Sequence, residues 1–173
     1  MSIALTFNDK KLVDTVLVGP EGAVYYTTTT THGFRGRKIT TITAASGHTG
    51  IINWREKVFI LNGVQREWDT IRSGGVWSKE KEWNWEHRPF KLKYHHRNQE
   101  LLATPTVGGD AYSVRFTVYH THLLRESDRA VIYFPSQMDE GERMFLLMAI
   151  LETEMHRQDV QNASNGAVAV AAS

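Results

Sequence analysis

The sequence predicts a mainly β protein, a closed antiparallel β-barrel of about a dozen short strands around one C-terminal hydrophobic helix. Turn-forming residues recur at short intervals along the chain and separate runs rich in β-branched and aromatic side chains. One unbroken apolar run, residues 144–151, lies near the C-terminus. Because this run covers more than two helical turns, every side of such a helix is apolar, and only strands remain to enclose it.

The strands are predicted from turn signals and from alternation. Turn signals occupy residues 19–22, 33–36, 46–47, 62–63, 73–75 and 108–110. Among them, Asn62 and Gly63 favour a type I′ hairpin that pairs Leu61 with Val64. The segment 111–120 alternates and predicts a strand with one buried face, whereas residues 130–134 lack alternation and predict a strand covered on both sides.

The helix is predicted over residues 139–160. Asp139 is placed to cap it, and Glu142 is placed to reach back to the capping residue's amide. Charges at Arg143 and Glu152 bound the apolar run, which is too short to cross a bilayer. We therefore expect residues 144–151 to be buried, and we expect Glu154, at the polar end, to tolerate replacement by glutamine.

Length and composition indicate one domain, residues 1–160, followed by a flexible tail of small residues, 161–173. The 20 lysines and arginines nearly balance 19 acidic residues, a net charge of +1, so no global field favours nucleic acid as a partner. The chain has no cysteine, which excludes disulfides, thiolate metal sites and cysteine nucleophiles. The N-terminus has no pattern typical of a secretory signal, so we expect a cytoplasmic location, with peripheral membrane association as an alternative.

Four segments carry a resemblance to a known family. LTFNDKKLVDTVLVGPEGAVYYTTTT, EWNWEHR, YSVRFTVYHTHLL and RAVIYFPSQMDEGERMFLLMAILETEMHR resemble a family of small fungal proteins with a domain of unknown function. That family has a tubby-like fold, the architecture of tubby proteins, phospholipid scramblases and the plant LURP-one-related proteins. The resemblance covers most of residues 2–157, and its motifs are structural rather than catalytic.

The resemblance implies a binding role rather than a reaction. Tubby domains bind phosphoinositide headgroups through basic residues on the barrel surface, and scramblase-like members associate with membranes. No lipid-contacting motif of tubby proteins aligns with this chain, so the resemblance supplies no binding residue. We expect a non-enzymatic binding module, without a cofactor, whose partner is an anionic lipid headgroup or another small ligand.

Two groups of residues are candidate ligand-binding sites. In the first, Trp83 and Trp85 point to the same side of any strand that contains them both, which suggests a stacking surface for a sugar or a base. The nearby basic residues that could hold a phosphate are Arg88, Lys91 and Lys93. Packing in the core is the alternative for the tryptophans. The second group is Arg35, Arg37 and Lys38, which could contact a lipid phosphate or could protect a sheet edge from pairing.

Histidines are the candidates for metal chemistry. His120 and His122 stand two apart on a predicted strand and could ligate zinc at a barrel mouth, which keeps a histidine-dependent enzyme as an alternative function. No third ligand is identifiable, and half-buried structural histidines are the competing interpretation. The sequence has no serine nucleophile elbow, no phosphate-binding GxxxxGK loop and no GxGxxG after a strand, so no catalytic residue is assigned.

Overall fold

One antiparallel sheet carries most of the described chain. The structure, a computed structural model, describes residues 1–34, 36–74, 80–86, 88–118 and 129–171, with side chains of the last helix described to residue 164. Within these residues the sheet has 13 strands, accompanied by helix α1 (Trp68–Ile71) and helix α2 (Glu140–Ala171). The mainly β class and the C-terminal helix are therefore confirmed.

The strands follow one another at short intervals. Their bounds are β1 Ser2–Phe7, β2 Thr15–Val18, β3 Val24–Gly33, β4 Gly36–Ala44, β5 Thr49–Asn53, β6 Val58–Leu61, β7 Val64–Glu67, β8 Arg72–Ser73, β9 Glu80–Trp83, β10 Phe90–His95, β11 Glu100–Pro105, β12 Val114–Thr117 and β13 Val131–Pro135. Short 3-10 turns occupy Pro20–Gly22 and Asp110–Tyr112.

The strand order explains where the sheet ends. It runs β7-β6-β5-β4-β3-β2-β1-β13-β12-β11-β10-β9-β8, so the two edge strands are neighbours in the chain. No ladder joins β7 to β8 in the described residues, and the predicted hydrogen-bonded closure of a barrel is not confirmed. Helix α1 connects the two edges instead. The Trp68 amide donates to the Lys57 carbonyl at 2.9 Å, and the Asn84 amide donates to the Ile71 carbonyl at 2.8 Å.

Two strand features that the sequence predicts, a hairpin and an alternating strand, can be compared with the structure. Asn62 and Gly63 have φ angles of 49° and 86°, and Leu61 pairs with Val64, which confirms the predicted hairpin. The strand predicted from residue 111 begins only at Val114, because the residues before it form a 3-10 turn. Its alternation is otherwise as predicted, since the side chains at 114, 116 and 118 are buried and that at 115 is exposed.

Strand β13 is covered on one side more than on the other. Ile132 and Phe134 are wholly buried, whereas Val131 and Tyr133 are only half-buried. The prediction of cover on both sides is therefore only partly right. The outer face is partly covered by a side chain of the neighbouring strand, because the guanidinium of Arg115 lies 4.3 Å from the centre of the Tyr133 ring.

Helix α2 begins as the capping pattern predicts. The Glu142 amide donates to Asp139 Oδ1 at 2.8 Å, so Asp139 caps the helix. The Glu142 carboxylate contacts Arg88 and does not complete the predicted reciprocal bond. The helix extends past residue 160 to Ala171, in a segment rich in alanine, which has the highest helix propensity. The flexibility of residues 161–173 stays a prediction. Neither helix of the described chain has the length and apolar character that crossing a bilayer requires.

The apolar run of α2 forms the centre of the core. Every residue from 144 to 151 has at most 2% of its surface exposed, which confirms the predicted burial. The sheet approaches this helix closely at Gly50 of β5. A Cβ atom added there would lie 2.8 Å from Met148 Sδ and 2.9 Å from Met144 Sδ, so any larger residue would force these methionine side chains to shift.

The segment after the apolar run is more buried than the sequence suggests. Glu152 is 3% exposed and Glu154 is 1% exposed. Arg72 Nη1 lies 3.0 Å from Glu152 Oε1, and Arg157 contacts both carboxylate oxygens of Glu154 at 2.7 and 2.8 Å. The expectation that Glu154→Gln is nearly neutral was based on an exposed site and does not fit this burial. The substitution removes a buried charged acceptor, which costs about 1 to 3 kcal/mol.

The surroundings of Tyr26 predict how the stability of the fold changes at high pH. Its buried hydroxyl donates to Glu140 Oε1 at 2.6 Å, and burial, followed by this hydrogen bond, raises the pKa of Tyr26 above its ordinary value of about 10. The unfolded chain therefore releases this proton first, so the contribution of Tyr26 to stability is complete below pH 10 and is lost as pH rises further.

We expect the free energy of unfolding to fall above pH 10, with a Tyr26 contribution of about 1.4 kcal/mol per pH unit. Tyr26→Phe should remove that contribution from the pH dependence measured by urea unfolding. Tyr25→Phe, at a half-buried tyrosine on the same strand, is the matched control. An unchanged slope in Tyr26→Phe would contradict the assignment.

Candidate functional site

Trp83 lies in the core rather than at a surface. It is fully buried, and its ring stacks on Phe59 with a centroid separation of 5.2 Å and an interplanar angle of 9°. Strand β9 pairs Trp83 with Phe90, which is also fully buried, so both side chains point inward. The predicted stacking surface therefore does not include Trp83, because its register places it on the inner face. Trp77, which clusters with Trp83 and Trp85 in the sequence, lies outside the described residues.

Lys91 and Lys93 lie on the other face of the sheet from Trp83. Both follow Phe90 on β10 and both are exposed, and Lys93 Nζ lies 2.5 Å from Glu80 Oε1 on the neighbouring strand. Alternation along β10 separates them from the buried tryptophan. The structure thus does not bring the first group of predicted binding residues together in one site.

Trp85 and Arg88 do line a common cavity, which we call the mouth cavity. It has a volume of about 520 Å³ and lies at the N-terminal end of α2. Its apolar lining residues are Leu61, Val64, Trp85, Val107 and Phe145. Its polar lining residues include Asn62, Glu86, Arg88, Asp139 and Glu142.

Four segments that are distant in sequence build the mouth cavity. The β6–β7 hairpin supplies Val64, the loop after β9 supplies Trp85, the loop after β11 supplies Val107, and the first turns of α2 supply Phe145. Val64 and Val107 are 52% and 66% exposed, so they present apolar surface to water at the opening. A cavity of this size with both apolar walls and polar groups is within the range of small-molecule sites.

One ion pair lies within the mouth cavity. Arg88 Nη1 is 3.3 Å from Glu142 Oε1 and 3.5 Å from Oε2, and the Arg88 guanidinium lies 3.7 Å from the centre of the Tyr112 ring. Burial raises the pKa of Glu142, and the positive charge of Arg88 offsets that rise only in part. The Glu142 carboxylate is therefore held in a setting that solvates its charge poorly.

Trp85 is already covered by a cation of the protein. The guanidinium of Arg66 lies 4.6 Å from the centre of the Trp85 ring and donates a hydrogen bond to the Trp85 carbonyl. On another side, the ring packs against Phe145 at a centroid separation of 5.7 Å. Trp85 is 8% exposed, so it contributes a wall of the cavity rather than an open stacking surface.

The second group of predicted binding residues lies on the β3–β4 hairpin, beside Asp159 of α2. We call residues 31–34 and 36–38 the hairpin tip; Arg35 lies outside the described residues. Phe34 is fully exposed there, at 106% of its reference surface. Lys38 is also exposed, whereas Arg37 pairs with Asp159 of α2 and its guanidinium lies 4.9 Å from the centre of the Trp54 ring.

The hairpin tip belongs to two interior strands of the sheet, because β3 lies between β2 and β4, and β4 lies between β3 and β5. The ladder from β2 to β3 reaches only Thr28, so in the described chain the tip has no neighbouring strand there, and the interpretation that its charges protect an edge stays a prediction. The β4–β5 ladder begins only at Ile39. Residues 36–38 therefore extend beyond β5, by about 10 Å at the usual rise of a strand.

The histidines give no metal site that can be described. His120 and His122 lie outside the described residues, so the zinc prediction on them stays a prediction. Elsewhere in the described ranges, no three histidine or acidic side chains are grouped to hold a metal ion. His95 and His96 are exposed, and the His96 ring contacts Tyr94 edge to face at 5.0 Å.

Comparison with known proteins leaves the family open. No family model matches the chain, and no curated protein or solved structure matches it. Any functional conclusion therefore depends on the residues of the two sites. The sequence singled out Trp85, Arg88, Arg37 and Lys38 at these sites. It gave no signal for Val64 or Val107, whose importance comes only from the approach of distant loops.

Proposed function

We propose that the protein is a non-enzymatic binding module that attaches to an anionic membrane surface through the hairpin tip. The observation that carries the proposal is the full exposure of Phe34 at the end of a hairpin that also carries Lys38. An exposed phenylalanine has no packing role in the described structure, and burying it in the interfacial region of a bilayer is favourable. A neighbouring lysine adds about 1 kcal/mol near an anionic surface.

The two basic side chains described at the hairpin tip differ in their ion pairing. Arg37 already has a carboxylate partner in Asp159, whereas no ion pair to Lys38 is found in the described part of the chain. With a net charge of +1, the whole protein offers no strong attraction of its own. We therefore expect binding to depend on Phe34 and Lys38 together and to weaken in high salt.

We propose that the chain belongs to the tubby-like group, and its architecture supports this proposal. A long meander of strands around a C-terminal helix with a fully buried apolar run is the arrangement that the resemblance implies. In this proposal α1 closes the barrel by connecting its two edge strands. The protein is cytoplasmic and associates peripherally with membranes. Tubby domains bind phosphoinositides, so those lipids are included in the test.

Vesicle sedimentation tests the proposal. The full chain is mixed with vesicles of phosphatidylcholine alone, with added phosphatidylserine, or with added phosphatidylinositol 4,5-bisphosphate. We expect retention on both anionic compositions and little on the neutral one. Lys38→Glu changes two units of charge at the tip and should weaken retention about tenfold or more, and Phe34→Ala should weaken it several-fold.

Two variants at other places serve as matched controls. Val107→Ala alters an exposed apolar side chain of the mouth cavity, beside the first turns of α2, and Lys91→Glu alters an exposed lysine on the outer face of β10. Both should bind anionic vesicles as the unmodified protein does. The proposal fails if no anionic composition retains the protein, or if these controls lose binding as strongly as Phe34→Ala and Lys38→Glu.

The other functions considered from the sequence have less support. Carbohydrate binding by the tryptophans would need an open aromatic face, yet Trp83 is buried and Trp85 is covered by Arg66. A histidine-dependent enzyme depends on His120 and His122, outside the described residues. Metal analysis of the purified protein, compared with His120→Ala, tests that alternative directly.

A further inference from the structure

The mouth cavity has no role in membrane attachment through the hairpin tip. Glu142, in the cavity, and Asp159, the partner of the tip residue Arg37, are 17 residues apart on α2. At the rise of an α-helix this separation is about 25 Å. A ligand in the cavity therefore cannot contact the hairpin tip, and the two sites can be tested independently.

We propose that the mouth cavity binds a small amphipathic amine, whose ammonium group donates to Glu142 and whose apolar body packs against the cavity wall. This is a second site, separate from the proposed membrane contact. It depends on three features of the cavity, which are its apolar rim, its poorly satisfied carboxylate and its excess of acidic groups.

The apolar rim is the first feature. Val64 and Val107 are two of the few large apolar side chains of the described chain that remain more than half exposed, and both line this one cavity. Deeper in the cavity, Trp85 and Phe145 continue the apolar surface. A ligand with an apolar body would remove this surface from water, at about 25 cal/mol for each Å².

The carboxylate of Glu142 is the second feature. Its contacts with Arg88 come from a single nitrogen at 3.3 and 3.5 Å, whereas charge-assisted N–H···O bonds are usually about 2.7 to 2.9 Å long. The Glu142 side chain is only 17% exposed, so water solvates it incompletely. The raised pKa of Glu142 has the same cause. An ammonium group within the cavity would supply the strong donor that this carboxylate lacks.

The sign of the charges is the third feature. Glu86, Asp139 and Glu142 line the cavity, and Arg88 is the one cation among its described lining residues. Asp139 is used by the helix cap, and Arg66 lies 3.9 Å from Glu86 at the edge of the site. A carboxylate or phosphate ligand would have to displace Glu142 from Arg88 and would meet these acids. An amine would be repelled by Arg88 alone among these lining charges and attracted by the three acids, so charge complementarity favours the amine.

Three probes of similar shape test this choice. Phenethylamine, 2-phenylethanol and 3-phenylpropionate carry a positive, a neutral and a negative group on the same aromatic body. Binding to the full chain is measured by tryptophan fluorescence and by NMR line shifts at pH 7. We expect the amine to bind about tenfold more tightly than the alcohol, as one hydrogen bond between charged groups predicts, and the carboxylate to bind most weakly.

Substitutions test the role of the carboxylate. Glu142→Gln, which keeps the side-chain shape, should weaken amine binding about tenfold and should improve 3-phenylpropionate binding, because Arg88 then lacks its partner. Val107→Arg places a cation at the exposed rim and should also weaken the amine selectively; it keeps the test valid if Glu142→Gln folds poorly. Glu56→Gln, at an exposed glutamate in the β5–β6 turn, is the matched control and should change nothing.

A purely structural role for Glu142 would lower the binding of all three probes alike and could not reverse their order. The proposal is overturned if the unmodified protein binds none of the probes, if it binds the carboxylate at least as tightly as the amine, or if Glu142→Gln leaves their order unchanged. Vesicle binding through the hairpin tip should be the same in Glu142→Gln and in the unmodified protein, so failure of one proposal can be told from failure of the other.

Discussion

Leu147→Asp is expected to abolish cooperative unfolding of the protein. Leu147 is completely buried in the middle of the apolar run of α2, and its neighbours from 144 to 151 are at most 2% exposed. A carboxylate there has no partner, and an unpaired buried charge costs more than the 5 to 15 kcal/mol that typically separates folded from unfolded domains. Thermal unfolding followed by circular dichroism should show no native-like transition.

A matched change on the same helix separates burial from helix propensity. Val160→Asp also replaces a branched aliphatic residue by aspartate, but Val160 is 53% exposed, so its melting transition should stay close to that of the unmodified protein. Leu147→Ala should fold, with a loss of about 2 to 5 kcal/mol from the cavity it leaves. A native-like melting transition in Leu147→Asp would mean that α2 is not enclosed by the sheet.

Arg72→Met is expected to lower the free energy of unfolding by about 3 kcal/mol, because it removes the guanidinium that pairs with the buried Glu152 carboxylate. The Glu152 side chain is only 4% exposed, and Arg72 Nη1 lies 3.0 Å from its Oε1 atom. Arg72 also covers aromatic rings of the core, with its guanidinium 5.5 Å from Trp68 and 5.4 Å from Trp83. Urea unfolding at neutral pH measures the loss.

A half-exposed ion pair provides the comparison. Arg115 and Glu100 lie 3.5 Å apart with side chains 51% and 16% exposed, so water reaches this pair through Arg115, and Arg115→Met should cost less than Arg72→Met. Combining Arg72→Met with Glu152→Leu should recover much of the lost stability, because the unpaired charge is gone. Equal costs for Arg72→Met and Arg115→Met would show that the Arg72 pair is no more important than this half-exposed pair.

Local sequence patterns were sufficient for the elements of the fold. The cap at Asp139, the hairpin at Asn62 and the burial of the apolar run each follow from residues adjacent in sequence. The burial of Glu152 could not be predicted in this way. Its partner Arg72 lies 80 residues earlier in the chain, so the pattern after Leu151 resembles an ordinary polar helix end.

The sites were predicted less well for the same reason. Trp83 and the lysines of β10 were predicted to form one site, and the structure separates them, because alternation within a strand does not show which face is inside. The pairing with Phe90 decides that. Trp85 lies beyond the end of β9, where alternation no longer applies. The mouth cavity requires four segments to meet, and no local pattern encodes such a meeting.

The strand order also has a consequence for how the chain folds. Among the described residues, every ladder joins strands that are consecutive in the chain, except the one between β1 and β13, which pairs residues 2–6 with residues 131–135. The meanders β1–β7 and β8–β13 can therefore form from nearby contacts at a low cost in chain entropy. Joining them requires closing a loop of well over a hundred residues. We infer that the docking of β1 against β13 limits the folding rate, and that substitutions in this ladder slow refolding more than substitutions within either meander.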